Sequence, residues 1–436
     1  MTVARASKFK KARVADAVKS IALDKLSNVK LSAEQEQLRS RILGFVRENL
    51  MNYQKGAKPA MFVVQGDAGT GKSVILNALF NEVQRLANDN KNSKDILAGT
   101  RNYLIVNHPE MLKLYHRMSV NFKYISKSSL ERPTSLINNL QKTKQMADVV
   151  IIDEAHLLAT SKDAFKRFYG ENHLQELMSL AKVLVLVYDE KQALRMGCYW
   201  DENTENGANL QGYYNTIPEE KRGWYNLKQQ FRVAAPNDVL EWIDTISTVG
   251  KIPKYPKSAK GSIESKFDFQ IWDDCLEMYE MLKKKNEEFG QCRVLSTYDF
   301  PYRLDGKVYY VTCGDFKLRW DMYAPRSTLP WSEREDTIDE VGSVYTVQGF
   351  DLNYAAVILG RSVGYDKAND CIKLRPELYD DHAGFTKKKN ISDADTVKQK
   401  IIMNSINVLL TRGTKGLYVY AWDPELRERL KQTRLE

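Results

Sequence analysis

The sequence predicts an α/β protein built on parallel sheets. Three observations carry that reading. The apolar run Met61-Phe62-Val63-Val64 enters a glycine-rich turn, Gly66-Asp67-Ala68-Gly69-Thr70-Gly71-Lys72-Ser73, and leaves it as a helix through Val74, Ile75, Leu76 and Phe80. Val149-Val150-Ile151-Ile152 is a β-branched run that ends in two carboxylates, Asp153-Glu154. A run apolar on both faces is a strand buried inside a parallel sheet. Finally, strand-like runs recur in both halves: Val183–Tyr188, Cys292–Ser296, Val308–Thr312, Ala355–Leu359 and Leu417–Tyr420.

In chain order, the first thirty residues carry Arg5, Lys8, Lys10, Lys11, Arg13, Lys19, Lys25 and Lys30 against Asp16 and Asp24, a basic arm. A helix begins at Ser32, where Gln35 three positions on makes a capping box. A glutamine ahead of a phosphate loop can also read the edge of an adenine, and the two roles are compatible. The turn from Gly66 to Ser73 fits G-x4-G-K-S, the phosphate-binding loop. Its glycines let backbone N–H groups close around phosphates, and the helix start adds partial positive charge. Lys72 is expected on the β- and γ-phosphates of ATP, and the Ser73 hydroxyl on Mg²⁺. Asp153 and Glu154 fall at the carboxyl edge of the sheet, where ligands of open α/β sheets sit. Asp153 is read as a second Mg²⁺ ligand and Glu154 as the base that polarises water. Gln192, just past the next strand, is read as a γ-phosphate sensor.

Residues 195–226, rich in Gly, Asn and aromatics, read as an insertion with candidate base-stacking rings. A Pro/Lys linker, Lys251-Ile252-Pro253-Lys254-Tyr255-Pro256-Lys257, marks a boundary. The expected division is an arm and helix over 1–58, a first domain over 59–250 and a second over 251–436. Segments 343–354 and 407–420 carry the second domain's motifs, and a lysine-rich loop spans Asp380–Lys400.

With 436 residues, two or three domains of ~100–200 residues fit. A net charge of +9 suits a polyanionic partner. Five cysteines without any C-x-x-C pair argue for reduced thiols in a cytoplasmic protein and against zinc. No apolar run approaches the ~20 residues that cross a bilayer, so no membrane partner is expected.

Taken in order, the phosphate loop, Asp153-Glu154-Ala155-His156, Asp189-Glu190-Lys191-Gln192, Gln230-Phe231-Arg232, Thr346-Val347-Gln348-Gly349 and Leu410-Thr411-Arg412-Gly413 resemble the motif series of a superfamily-one helicase. The stretches Gln348-Gly349-Phe350-Asp351-Leu352-Asn353-Tyr354 and Leu409 to Tyr420 look closest to the Schlafen-group-three-like DNA/RNA helicase domain family, of bacterial and phage type. The resemblance implies two RecA-like P-loop NTPase domains with ATP in the cleft between them. It assigns Arg232 and Arg412 to the γ-phosphate, and Gly349 and Asp351 to the ribose. Two positions depart from the common pattern: Asp351 stands where Glu is usual, and Tyr345 where a His often precedes. The implied function is an ATP-dependent helicase or translocase on single-stranded or partly duplex DNA or RNA. The alternative is a nucleic-acid-stimulated ATPase switch that does not unwind, acting in defence or on mobile elements, and a protein partner remains open. A clamp-loading or remodelling ATPase lacks the Gln-Gly and Leu-Thr-Arg-Gly pair.

Overall fold

A computed structural model describes residues 30–67, 69–89, 94–164, 167–201, 209–227, 235–259, 267–303, 305–321, 327–386 and 391–435. The described chain opens with α1 (Ala33–Met51), whose start is the expected capping box. The Gln35 N–H donates to Ser32 Oγ and the Ser32 N–H to Gln35 Oε1 at 2.9 Å. There follow β1 (Ala60–Gly66), α2 (Lys72–Asn88), β2 (Asn102–Val106), α3 (Pro109–Met118), β3 (Leu130–Glu131), α4 (Pro133–Thr143), β4 (Ala147–Asp153), α5 (His173–Leu180), β5 (Ala181–Tyr188), α6 (Leu210–Asn215) and β6 (Arg222–Leu227). These six strands form one parallel sheet in the order β3-β2-β4-β5-β1-β6. Apolar side chains fill both of its faces, as the β-branched runs require. Phe62, Val64, Ile75 and Leu79 pack on one side, and Met61, Val63, Val150 and Leu184 on the other.

The strand order has a direct consequence for the site. β5 lies between β1, which leads into the glycine-rich turn, and β4, which ends in Asp153. Whatever follows β5 therefore emerges between that turn and Asp153.

A helix α7 (Asn237–Asp244) precedes the second sheet. The second half comprises β7 (Asp268–Ile271), α8 (Cys275–Phe289), β8 (Cys292–Ser296), β9 (Tyr310–Cys313), β10 (Phe316–Trp320), β11 (Glu340–Gly342), α9 (Val344–Val347), β12 (Leu352–Leu359), β13 (Val363–Asp366), β14 (Cys371–Leu374), α10 (Ala394–Leu410), β15 (Gly413–Ala421) and α11 (Pro424–Gln432). The sheet order is β7-β15-β12-β8-β11-β10-β9, parallel except for the β9–β10 hairpin at one edge. Because β12 and β15 are neighbours, the two motifs that precede them are brought together, and the Leu352 N–H donates to the Arg412 carbonyl at 3.0 Å.

Three sequence expectations change here. Residues 222–226 are not insertion: Arg222–Leu227 is the edge strand β6, parallel to β1. Its polar side chains hid it, since an edge strand buries only part of its surface. Gly223 is the residue that lets it close up, because a Cβ there would lie 2.6 Å from the Phe62 ring. Second, the helix before the Pro/Lys linker packs Val239, Trp242, Ile243 and Ile246 among the side chains of the second sheet, so packing changes hands N-terminal to the expected boundary at 250/251. Third, the Asp380–Lys400 stretch ends in the first turns of α10. Its lysines 387–389 lie outside the described residues, as do residues 202–208 of the expected insertion. Of the aromatics in that insertion, Trp200 is buried against Tyr213, and half-buried Tyr214 meets Trp224 edge-on. Among the described residues no helix is long and apolar enough to cross a membrane.

The halves exchange core residues. Phe350, from the second, is fully buried among Leu38, Ile75, Met111 and Leu114 of the first. Leu194, from the first, is buried in the second cluster. Arg117 on α3 pairs with Glu333, and the Trp331 N–H donates to Glu110 at 3.2 Å. Truncation of Phe350 to alanine is expected to cost about 3–5 kcal/mol, the range for a buried phenylalanine. The midpoint of chemical denaturation measures it, and a cost under about 1 kcal/mol would show that the contact carries no core energy.

Candidate nucleotide-binding site

The loop after β1 is shaped by its glycines. A Cβ on Gly66 would sit 2.7 Å from Thr70 Oγ1 and 3.1 Å from the Leu227 carbonyl. Gly69 (φ 89°) and Gly71 (φ 81°) hold left-handed backbone that side chains with a Cβ rarely adopt. Gly71 caps α2, so the N–H groups of the first helical turn face into the loop. Thr70 is buried and donates to the Asp67 carbonyl, and the Asp67 side chain is exposed. Ala68 lies outside the described residues. Lys72 is 7 % exposed. Its ammonium donates to the carbonyls of Gly66 (2.5 Å) and Asp67 (2.7 Å) and pairs with Asp189 Oδ2 at 3.2 Å.

Asp153 ends β4 fully buried. Its Oδ1 accepts from Ser73 Oγ at 3.3 Å and from the Glu154 N–H, and its Oδ2 from the Tyr115 hydroxyl at 2.5 Å. Burial, and after it the neighbouring Glu154 charge, pushes its carboxyl up to about 6 against those hydrogen bonds. A hydroxyl and a carboxylate in contact form an all-oxygen pair, which suits a hard cation such as Mg²⁺. Among the described residues no group of three His, Cys, Asp or Glu side chains is placed to hold a metal alone. Two protein ligands fit a cation that draws its remaining oxygens from phosphate and water.

Glu154 follows in left-handed backbone (φ 51°), which turns its side chain away from the strand direction. Its Oε2 lies 3.1 Å from His156 Nε2. His156 is fully buried, and burial lowers it to about 4. At neutral pH the imidazole beside the Glu154 carboxyl is therefore neutral.

The turn after β5 occupies the gap that the strand order leaves for it. Asp189 is buried. Burial alone would raise its carboxyl, and the opposing attractions of Lys72, His156 and the Gln192 amide lower it on balance. Gln192 Nε2 donates to Asp189 Oδ2 at 2.6 Å, on the oxygen that Lys72 also contacts.

From the second half, Gln348 Nε2 reaches His156 Nε2 (3.2 Å) and the Gln192 carbonyl (2.9 Å). Gly349 (φ 85°) backs directly onto α3, where a Cβ would meet Met111 Sδ at 2.6 Å. Asp351 is buried next to it at the head of β12. Arg412 is fully buried and close enough for its charge to act on His156. Its guanidinium donates to the carbonyls of Val408 (2.7 Å) and Phe350 (3.3 Å) and to Thr411 Oγ1 (3.2 Å). Arg232 lies outside the described residues. Gln35 is buried at the start of α1. The adjacent Glu34 accepts from Tyr225, whose register partner Val64 is two residues from Gly66, so this helix start lies at the loop end of the sheet.

Four contributors were missed by sequence reasoning. Asp189, His156 and Gln348 stand inside motifs whose other members drew attention. Tyr115 had no signal, being one aromatic on an amphipathic helix.

The family model for the Schlafen group 3, DNA/RNA helicase domain matches residues 59–423. The chain is 73% identical over 422 residues to the uncharacterized protein YPL245W of Saccharomyces cerevisiae, covering 95% of this chain and 93% of that one. Among solved structures, C. elegans PCH-2 is matched with a TM-score of 0.27 and 14% identity, over 62% of this chain and 63% of that one. Domain III of the Thermotoga maritima replication initiation protein DnaA is matched with a TM-score of 0.26 and 14% identity, over 61% and 90%. The motif wording is thus matched by a family model along nearly its whole course, and the chain belongs to the Schlafen group 3 DNA/RNA helicase domain family.

Proposed function

We propose that this chain hydrolyses ATP at the loop after β1 and couples hydrolysis to movement on single-stranded DNA or RNA. The observation that carries the proposal is the meeting of Lys72, Asp153, Glu154 and Gln192 with Gln348 of the other half in one buried site. Phosphoryl transfer needs positioning and charge stabilisation more than covalent chemistry, and these groups supply both. The loop N–H groups and Lys72 bind the β- and γ-phosphates, with Lys72 exchanging Asp189 and two carbonyls for phosphate oxygens. Ser73 and Asp153 would hold Mg²⁺, which neutralises charge between the phosphates. Glu154 takes a proton from the attacking water, with the neutral imidazole of His156 beside its carboxyl. Gln192 reports the γ-phosphate. Arg412 and Arg232 are assigned to the transition-state charge, Arg412 after leaving its carbonyl partners. Gln35 is assigned to adenine, and Gly349 and Asp351 to the ribose. The +9 charge supports a nucleic-acid track, and the cytoplasmic reading rests on five free cysteines.

One observation favours the second reading, a nucleic-acid-gated switch. Large apolar side chains that a strand-separating wedge would present are buried: Trp200, Leu210 and Ile217 in the first half, and Trp331 in the second. Displacement of a labelled strand from a partial duplex decides between the two.

Steady-state ATPase with and without single-stranded DNA and RNA tests the main reading. Stimulation that falls steeply as salt rises is expected, and no response at low salt would overturn it. Replacing Lys72 with alanine is expected to lower turnover about 10²–10³-fold, as loss of a donor to developing charge does. A Glu154→Gln variant should bind ATP as tightly as the native chain and turn over about 10²–10⁴-fold more slowly. Equilibrium binding beside single-turnover hydrolysis separates those effects, and retained hydrolysis removes Glu154 from the role of base.

A further inference from the structure

The turn after β5 is gripped from both sides. On one side its side chains meet the phosphate loop, with Asp189 Oδ2 shared by Lys72 (3.2 Å) and Gln192 (2.6 Å). On the other, its main chain is held by side chains of the second half. Asn404 Nδ2 donates to the carbonyls of Glu190 (3.3 Å) and Ala193 (2.9 Å), and Gln348 Nε2 to that of Gln192 (2.9 Å), while the Tyr345 hydroxyl donates to Asp381. The grip continues C-terminally. The Arg195 guanidinium lies 3.9 Å from the Tyr345 ring centroid, and Met196 is buried against Ile391, Val397 and Ile401.

Asn404 is the least expected member of this set. It stands inside α10, where asparagine is a weak helix former, and it is only 6 % exposed. Burying a primary amide is costly unless its N–H groups are used. Here they reach two carbonyls three residues apart that bracket Gln192, so the amide fixes the whole turn Glu190–Gln192 instead of a single atom.

We propose that Asn404 is a positioning residue for the nucleotide site, holding the Glu190–Ala193 turn so that a γ-phosphate at Lys72 and Gln192 is felt by α10. This rests on the ATP reading above. A phosphate that takes the Lys72 N–H groups leaves the Asp189 carboxylate facing an anion in a buried site. Like charges at short range repel strongly there, so Asp189 turns away and the backbone that carries it shifts. The carbonyls on that backbone are the ones Asn404 holds. An ADP, lacking the γ-phosphate, exerts less of that push.

The test uses the full chain and its Asn404→Ser and Asn404→Ala variants, titrated with ADP and with a non-hydrolysable ATP analogue. The native chain is expected to prefer the analogue, and each variant to lose that preference at least about fivefold with ADP affinity unchanged. A Gln192→Ala variant should lose it equally, and Asn404→Ser added to Gln192→Ala should cost nothing further. If Asn404→Ala does not fold, Asn404→Ser and its combination with Gln192→Ala carry the test. Equal loss of ADP and analogue affinity in Asn404→Ser, or effects that multiply with Gln192→Ala, would overturn the proposal and leave a plain packing role. A native chain that binds both nucleotides alike also overturns it. Failure of the native chain to bind any nucleotide overturns the ATP reading itself, and this proposal with it.

Discussion

The burial of one ammonium group sets the terms for the site. Lys72 is 7 % exposed, and a charge so deep must be compensated or discharged. Two loop carbonyls and the Asp189 carboxylate compensate it. That requirement propagates outward. Asp189 must be delivered between β1 and β4, which only a strand inserted between them can do, and β5 does so. The turn that carries Asp189 must then be fixed, and the second half fixes it through the carbonyls of residues 190, 192 and 193. A point charge at the mouth of one sheet thus dictates how the other sheet is docked.

Much of this was legible in the sequence, for a definable reason. The glycine-rich turn and the β-branched run into Asp153-Glu154 are local: strand, turn and helix follow within twenty residues, and their chemistry does not depend on distant chain. The pairing of Ser73 with Asp153 follows once both are placed at the carboxyl edge of one parallel sheet. What was not legible depends on long-range choices. Whether an amphipathic helix such as Asn237–Asp244 faces the sheet before it or the sheet after it is decided by surfaces that local periodicity does not describe. Strand β6 was missed because an edge strand needs no continuous apolar run. Tyr115 and Asn404 carry polar groups whose partners lie 38 and at least 211 residues away, and no spacing rule reaches that far.

The two halves are interlocked beside the site. Gln348-Gly349-Phe350-Asp351 enters the first half as a wedge: an amide on His156, a glycine flat against Met111 and a ring inside the core. Arg412, at the head of the neighbouring strand, donates to the Phe350 carbonyl, so the second motif is tied to the first through the residue that anchors both. Packing, and not only hydrogen bonding, thus sets where these polar groups stand. Gly349 is indispensable to that geometry on two counts, its left-handed backbone and its contact with Met111.

The placement of Phe350 also bears on how the protein is made. Its partners Ile75, Met111 and Leu114 leave the ribosome more than two hundred residues before it does. At roughly 5–20 residues per second, the N-terminal cluster spends some tens of seconds without the ring that completes it. Leu194 waits in the same way for a sheet that has not been synthesised. The core of the first half is therefore completed only once the Phe350 segment has been made.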